Sequence, residues 1–251
     1  MRFSVLAAVA VLAACGQSEP PPPLPATTVE AVAAPWFICD ATDAPVLLVF
    51  ERDGTTARVA QYDKPNGALI QRTEYQLGDG EGAAGSIYTT LLQNGAEAGS
   101  VREVNTGMLE APGAAYTPLY SSVRLGEREV SCRWLPRTRL MGFTGRRTIV
   151  VSEDGDGDLL YHSYDFATAA NAQPIEIAEN GRTTTFSLEV RDGTEQTDTN
   201  GARYQFQADV ETEIAVVVTR DGRGRVDVTR HGPNPAQSED LVAYVQGSGP
   251  D

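Results

Sequence analysis

The chain has 251 residues, a formal net charge of −14, three cysteines and two histidines. Acidity of that size argues against nucleic acid and anionic headgroups as partners, and suits a cationic protein partner or plain solubility. With two histidines and no GxSxG, HExxH, phosphate-loop or GxGxxG pattern in the sequence, no catalytic residue, metal or cofactor is expected.

Taken in chain order, the N-terminus comes first. Arg2 precedes an apolar run from Phe3 to Ala14, and the run ends in Leu12-Ala13-Ala14-Cys15-Gly16. It is too short to span a bilayer stably and ends like a secretory cleavage site. With cysteine after the cut, the stretch resembles the lipobox of bacterial lipoproteins, which implies a signal peptide at 1–14 and lipid attachment at Cys15. A plain secreted protein with an incidental cysteine is the other reading. Residues 15–34, with Pro20 to Pro23 and Pro25, are expected to form an extended tether. The address is then the periplasmic face of a bacterial envelope membrane, inner or outer being open.

In such an oxidising compartment the two remaining thiols, Cys39 and Cys132, are expected to pair. The bridge closes a loop of 93 residues, which chain entropy values at roughly 4 to 5 kcal/mol. Beyond Cys39 the turn dipeptides are dense: Asp53-Gly54, Asn66-Gly67, Asn94-Gly95, Asp154-Gly155, Asn200-Gly201 and Asp221-Gly222 among them. Between them lie short strand-like runs at Val46–Phe50, Ala57–Tyr62, Thr183–Val190, Ala202–Gln207, Ile214–Thr219 and Arg225–Thr229. In the last of these the valines alternate with charged residues, as a half-buried strand requires. The pattern predicts an all-β fold of two antiparallel barrel- or sandwich-like lobes, at 35–136 and 147–247, with a short helix around Ala167–Ala172. The boundary is expected in Leu135–Arg147, where Pro136, Gly142 and Gly145 interrupt the pattern.

A weak internal repeat supports two lobes. Leu47–Val49 and Val59–Asp63 match Ile149–Val151 and Tyr161–Asp165 at an offset of 102, with the Asp-Gly turn shifted by one, and Gly85-x-x-Tyr88 matches Gly201-x-x-Tyr204 at an offset of 116. Order is kept while spacing stretches, as duplication with loop insertion would leave it. Two features invite chemistry and have simpler explanations. His162 could act as base for Ser163 or Ser152, but an isolated strand histidine usually packs and hydrogen-bonds. The string Glu153–Asp158 lacks the sixth-position glycine and twelfth-position glutamate of a calcium loop and reads better as a hairpin turn.

The two Gly-x-x-Tyr segments carry a family resemblance. The first copy has Phe37-Ile38-Cys39-Asp40, Ala84-Gly85-Ser86-Ile87-Tyr88, Asn94-Gly95-Ala96-Glu97-Ala98 and Val130-Ser131-Cys132; the second has Asn200-Gly201-Ala202-Arg203-Tyr204. These are similar to the membrane-anchored bacterial inhibitors of c-type lysozyme, periplasmic β-barrels with an early-to-late disulfide and a Ser-Gly-x-x-Tyr loop. The resemblance implies a non-catalytic protein-binding lipoprotein, with Gly85, Tyr88, Asn200, Gly201, Arg203 and Tyr204 meeting a cationic lysozyme. The departures fall on the inhibitory groups: Ala84 and Asn200 replace the loop serine, and Asn94 stands where a lysine would be. The alternative is a structural or assembly lipoprotein of the envelope without inhibitory activity.

Overall fold

Among the described residues, nearly every apolar run becomes a strand. The computed structural model describes residues 35–109, 111–166, 188–230 and 237–248, together with the backbone of 176–178 and 181–183. Cys15, the tether and the expected helix at 167–172 lie outside the described residues.

The first sheet holds eight antiparallel strands in sequence order: β1 (Phe37–Asp40), β2 (Val46–Asp53), β3 (Thr56–Asp63), β4 (Ala68–Ala83), β5 (Ser86–Gln93), β6 (Ala96–Val104), β7 (Tyr120–Leu125) and β8 (Arg128–Ser131). Two short 3-10 turns, Thr106–Met108 and Pro112–Ala114, fall between β6 and β7. The strand β4 is long because it serves two neighbours. Its first half, Ala68 to Gln76, pairs with β3, and its second half, Gln76 to Ala83, pairs with β5 across an irregularity between Leu77 and Gly80. That corner bends the sheet, and the last strand nearly closes it. Ala41 bridges Cys132, the Thr42 amide donates to the Ser131 carbonyl at 2.9 Å and the Arg133 amide to the Asp40 carbonyl at 2.9 Å. Cys39 and Cys132 are disulfide-bonded across this seam, with Cα atoms 4.7 Å apart.

The second sheet repeats the plan. It contains β9 (Thr138–Phe143), β10 (Arg147–Glu153), β11 (Leu159–Asp165), β14 (Leu188–Thr197), β15 (Gly201–Gln207), β16 (Thr212–Thr219), β17 (Gly224–Arg230), β18 (Gln237–Asp240) and β19 (Ala243–Gln246), while β12 (Glu176–Ala178) and β13 (Gly181–Thr183) pair with each other in a separate two-stranded sheet. Here β14 is the corner strand, leaving β11 after Gly193 and joining β15 from Thr194. This half-barrel is bridged by one continuous stretch, 237–246: β18 pairs with β17 and β19 with β9. The second sheet therefore begins inside 135–147, the stretch expected as a boundary. Gly142, read as an interruption, sits within β9 because Leu241 packs against it; a β-carbon at Gly142 would lie 3.1 Å from the Leu241 side chain. The expected run Thr183–Val190 is divided between the end of β13 and the start of β14.

Three buried clusters follow from strand alternation. Leu48, Phe50, Val59, Tyr75, Leu91 and Val123 fill the first lobe; Ile149, Val151, Tyr161, Phe206 and Val216 fill the second. The third lies between the lobes, where Ile38, Leu47, Val49 and Tyr62 meet Met141, Phe143, Val150 and Tyr164. Thus Val46–Phe50 is apolar throughout because both of its faces are covered. Side-chain direction also corrects the repeat. Leu48 and Phe50 point into their lobe as Ile149 and Val151 do, so β2 matches β10 at an offset of 101, while Val59 and Tyr161 keep 102. A one-residue insertion after the Asp-Gly turn is required, since a slip of one residue reverses the face of every side chain.

Candidate functional site

The first Gly-x-x-Tyr segment forms the tip of the β4–β5 hairpin. Ala84 and Gly85 are its two central residues, with φ of 47° and 77°, between the paired Ala83 and Ser86. Positive φ at both positions is the signature of a type I′ turn, which matches the twist of the strands it joins. Gly85 adopts that angle freely, whereas alanine there is strained by about 1 to 2 kcal/mol. Met108, 70 % exposed, lies against Gly85, and Ile87 is 39 % exposed nearby. Tyr88 is half-buried with the Arg102 guanidinium 5.8 Å from its ring centre, and Arg102 also donates to Ser86 at 3.0 Å.

The second segment is held differently. Asp198 accepts backbone N–H groups from Asn200 and Gly201 at 2.6 and 3.1 Å, which keeps its carboxyl below the usual value. The Asn200 amide reaches back to the same carboxylate at 3.5 Å, so the residue expected in place of the loop serine is engaged within its own turn. Gly201 is needed for close approach: a β-carbon would lie 2.0 Å from the Val218 carbonyl oxygen. Arg203 is half-buried and pairs with Glu213 at 3.5 Å. Tyr204, expected as a contact residue, is instead buried. It is 3 % exposed within the second core, and burial pushes its hydroxyl up to about 12. The fourth residue of the motif points inward because strand alternation aims it with Ala202 and Phe206. The two tips thus occupy corresponding hairpins of different lobes, and only the first presents apolar surface.

His162 faces its cross-strand neighbour Glu189, with Nε2 3.0 Å from the carboxylate. Burial lowers its pKa against the upward pull of Glu189. Ser163, next along the strand, points to the opposite face, and Ser152 is diagonal to His162 through the Val150 pairing, a separation of about 7 to 8 Å. The acidic string is a turn: the Asp154 carboxylate accepts amide hydrogens from Asp156 and Asp158 at 2.9 and 3.0 Å.

The most unusual chemistry lies between the lobes. Asp40, fully buried at the end of β1, is shared by two cations, Lys64 and Arg133. Arg133 Nε donates to its carboxylate at 2.7 Å, and Lys64 donates to the Ala41 carbonyl as well. Burial alone would raise the Asp40 pKa, but the two cations outweigh it and hold the carboxyl below its ordinary value. The second lobe supplies ring faces to both: the Arg133 guanidinium stands 3.5 Å from the Tyr164 ring centre, and Lys64 is 5.8 Å from that of Phe166. Beside this cluster a cleft of about 480 Å³ runs between the lobes, lined by Trp36, Tyr120, Arg133, Trp134, Arg220 and Tyr244 among others. Arg220 belongs to the β16–β17 turn, and its amide donates to the Asn200 carbonyl at 2.9 Å.

None of these cleft residues was singled out from the sequence, although two signals were present. Asp40 and Arg133 each follow one of the paired cysteines, so closing the bridge makes them cross-strand neighbours of opposite charge. Lys64 is the single lysine of the chain, and it is only 3 % exposed. No protein-family model matches the chain, and no curated protein matches it.

Proposed function

We propose that this chain is a lipid-anchored protein of the bacterial envelope that acts by binding another protein and performs no catalysis of its own. The observation that carries the reading is the β4–β5 tip. Met108 and Ile87 expose apolar surface beside a turn that holds Ala84 in a strained conformation, and such strain concentrates where a contact is made. The acidic surface suits a cationic partner, and a c-type lysozyme fits both that charge and the family resemblance. Lipid attachment at Cys15 and a proline-rich tether would keep the tip facing the periplasm. The alternative, an assembly role without inhibition, draws on Leu69 and Ile70, exposed at the opposite end of β4.

The test uses the acylated protein beginning at Cys15, in detergent, and a c-type lysozyme clearing a cell-wall suspension. Inhibition that approaches completion near equimolar addition, and that Met108→Asp relieves at least tenfold, is the expected result. Undiminished clearing at excess protein removes lysozyme as the partner.

A further inference from the structure

The interlobe cleft differs in kind from the hairpin tip. Its volume, about 480 Å³, falls in the range of small-ligand sites, which gather at such junctions and combine apolar walls with a few polar groups. The walls carry five aromatic rings, from Trp36, Phe37, Tyr120, Trp134 and Tyr244, and among the described residues the charged ones lining it are Arg133 and Arg220. In a chain of net charge −14, a lining with two arginines and no carboxylate among the described residues is a local reversal of sign.

Two donors sharpen the point. Arg133 Nη1 and Trp134 Nε1 are buried without a hydrogen-bond partner among the described residues, and the Arg133 side chain is 6 % exposed. Buried N–H groups are almost always satisfied, so two in adjacent residues on one cleft wall need an explanation. Asp40 does not supply it: its Oδ2 accepts from Arg133 Nε, its Oδ1 lies beside Lys64, and neither oxygen is hydrogen-bonded to Arg133 Nη1. One carboxylate shared by two buried cations favours a further negative charge nearby. Guanidinium and indole N–H donors match the oxygens of a carboxylate, and flat aromatic walls match a ring.

We propose that the interlobe cleft binds a small ring compound carrying a carboxylate, which accepts hydrogen bonds from Arg133 and Trp134 while its ring packs against the aromatic walls. Arg220, exposed at the β16–β17 turn, raises the encounter rate with such an anion. Two sources share this chemistry, acidic sugars and aromatic acids.

Both tryptophans of the chain line the cleft, so intrinsic fluorescence reports occupancy directly. The full-length protein in detergent is titrated with glucuronate and with 4-hydroxybenzoate, with glucose and 4-hydroxybenzyl alcohol as uncharged counterparts, and calorimetry runs in parallel. At least one acid is expected to bind at least tenfold more tightly than its neutral counterpart, and which one binds identifies the source. Arg133→Lys retains a charge for Asp40 but removes Nη1, and should weaken binding about tenfold or more; Trp134→Phe should weaken it about three- to tenfold. Trp134→Phe also tests the site should Arg133→Lys fail to fold. Equal binding of acids and neutral counterparts, no binding of either acid, or affinity unchanged in Trp134→Phe would each overturn the proposal. Met108→Asp leaves this binding untouched, which separates its outcome from that of the lysozyme assay.

Discussion

The two lobes share one order of strands and one kind of corner but are fastened by different means. The first is joined at its seam by Cys39–Cys132 and by the pairing of Ala41 with Cys132; the second is bridged by a strand that pairs with β17 through 237–240 and with β9 through 243–246. A cross-link acts largely by restricting the unfolded chain, whereas a bridging strand acts only through native hydrogen bonds and burial. The comparison shows that the same architecture can be held by covalent constraint in one copy and by packing alone in the other. The lobes also lean on each other. Their first three strands are covered by the shared cluster around Phe143 and Val49, so neither lobe's β-sheet is buried independently.

The largest expected effect comes from attacking that shared cluster. Phe143→Ala empties a fully buried ring position and should lower stability by about 3–5 kcal/mol, resolving calorimetric unfolding into two transitions. A single, unshifted melt would mean that this ring contributes neither to stability nor to the coupling of the lobes. Replacing Cys39 and Cys132 by serine comes next, with a loss of about 2–5 kcal/mol and the first lobe melting before the second. Equal melting of the oxidised and reduced protein would contradict the assigned difference in closure.

Acid gives the smallest and most graded separation. Burial holds the His162 pKa below its ordinary value despite Glu189, so the unfolded chain takes up that proton more readily. Its contribution is therefore complete above about pH 6.5 and is lost as pH falls toward the depressed folded value. Asp40, also held low in the folded state, loses its contribution only as pH falls below about 4. Melting temperature followed from pH 7 to pH 3 should decline in two stages, first through the histidine on β11 and then through the carboxylates held low in the fold, among them Asp40, Asp198 and Asp227. A plateau between pH 6.5 and 5 would remove the His162 step, and His162→Gln should abolish that step alone.

Much of the fold could be read because its signals are local. Asn94-Gly95 and Asp53-Gly54 mark hairpins by backbone preference, and the valines of Arg225–Thr229 mark a buried face by period two; the structure has strands at both. The site was less legible. Gly85-x-x-Tyr88 and Gly201-x-x-Tyr204 look alike along the chain, yet Tyr88 is half-buried at a hairpin while Tyr204 lies in a core. The aromatic cleft draws on residues from 36 to 244, and no short window of sequence holds two of its walls.

By itself the sequence determined the strand-forming runs, their turns, the antiparallel all-β class and the pairing of Cys39 with Cys132, because these depend on near-neighbour geometry and on the scarcity of cysteine. Only the tertiary structure decided that Leu47 and Val49 face another lobe, that Tyr204 turns inward, and that Asp40, Lys64 and Arg133 share one buried site. Those outcomes depend on which faces meet after the sheets bend, and distant segments bring opposite faces together without leaving a periodic mark on the chain.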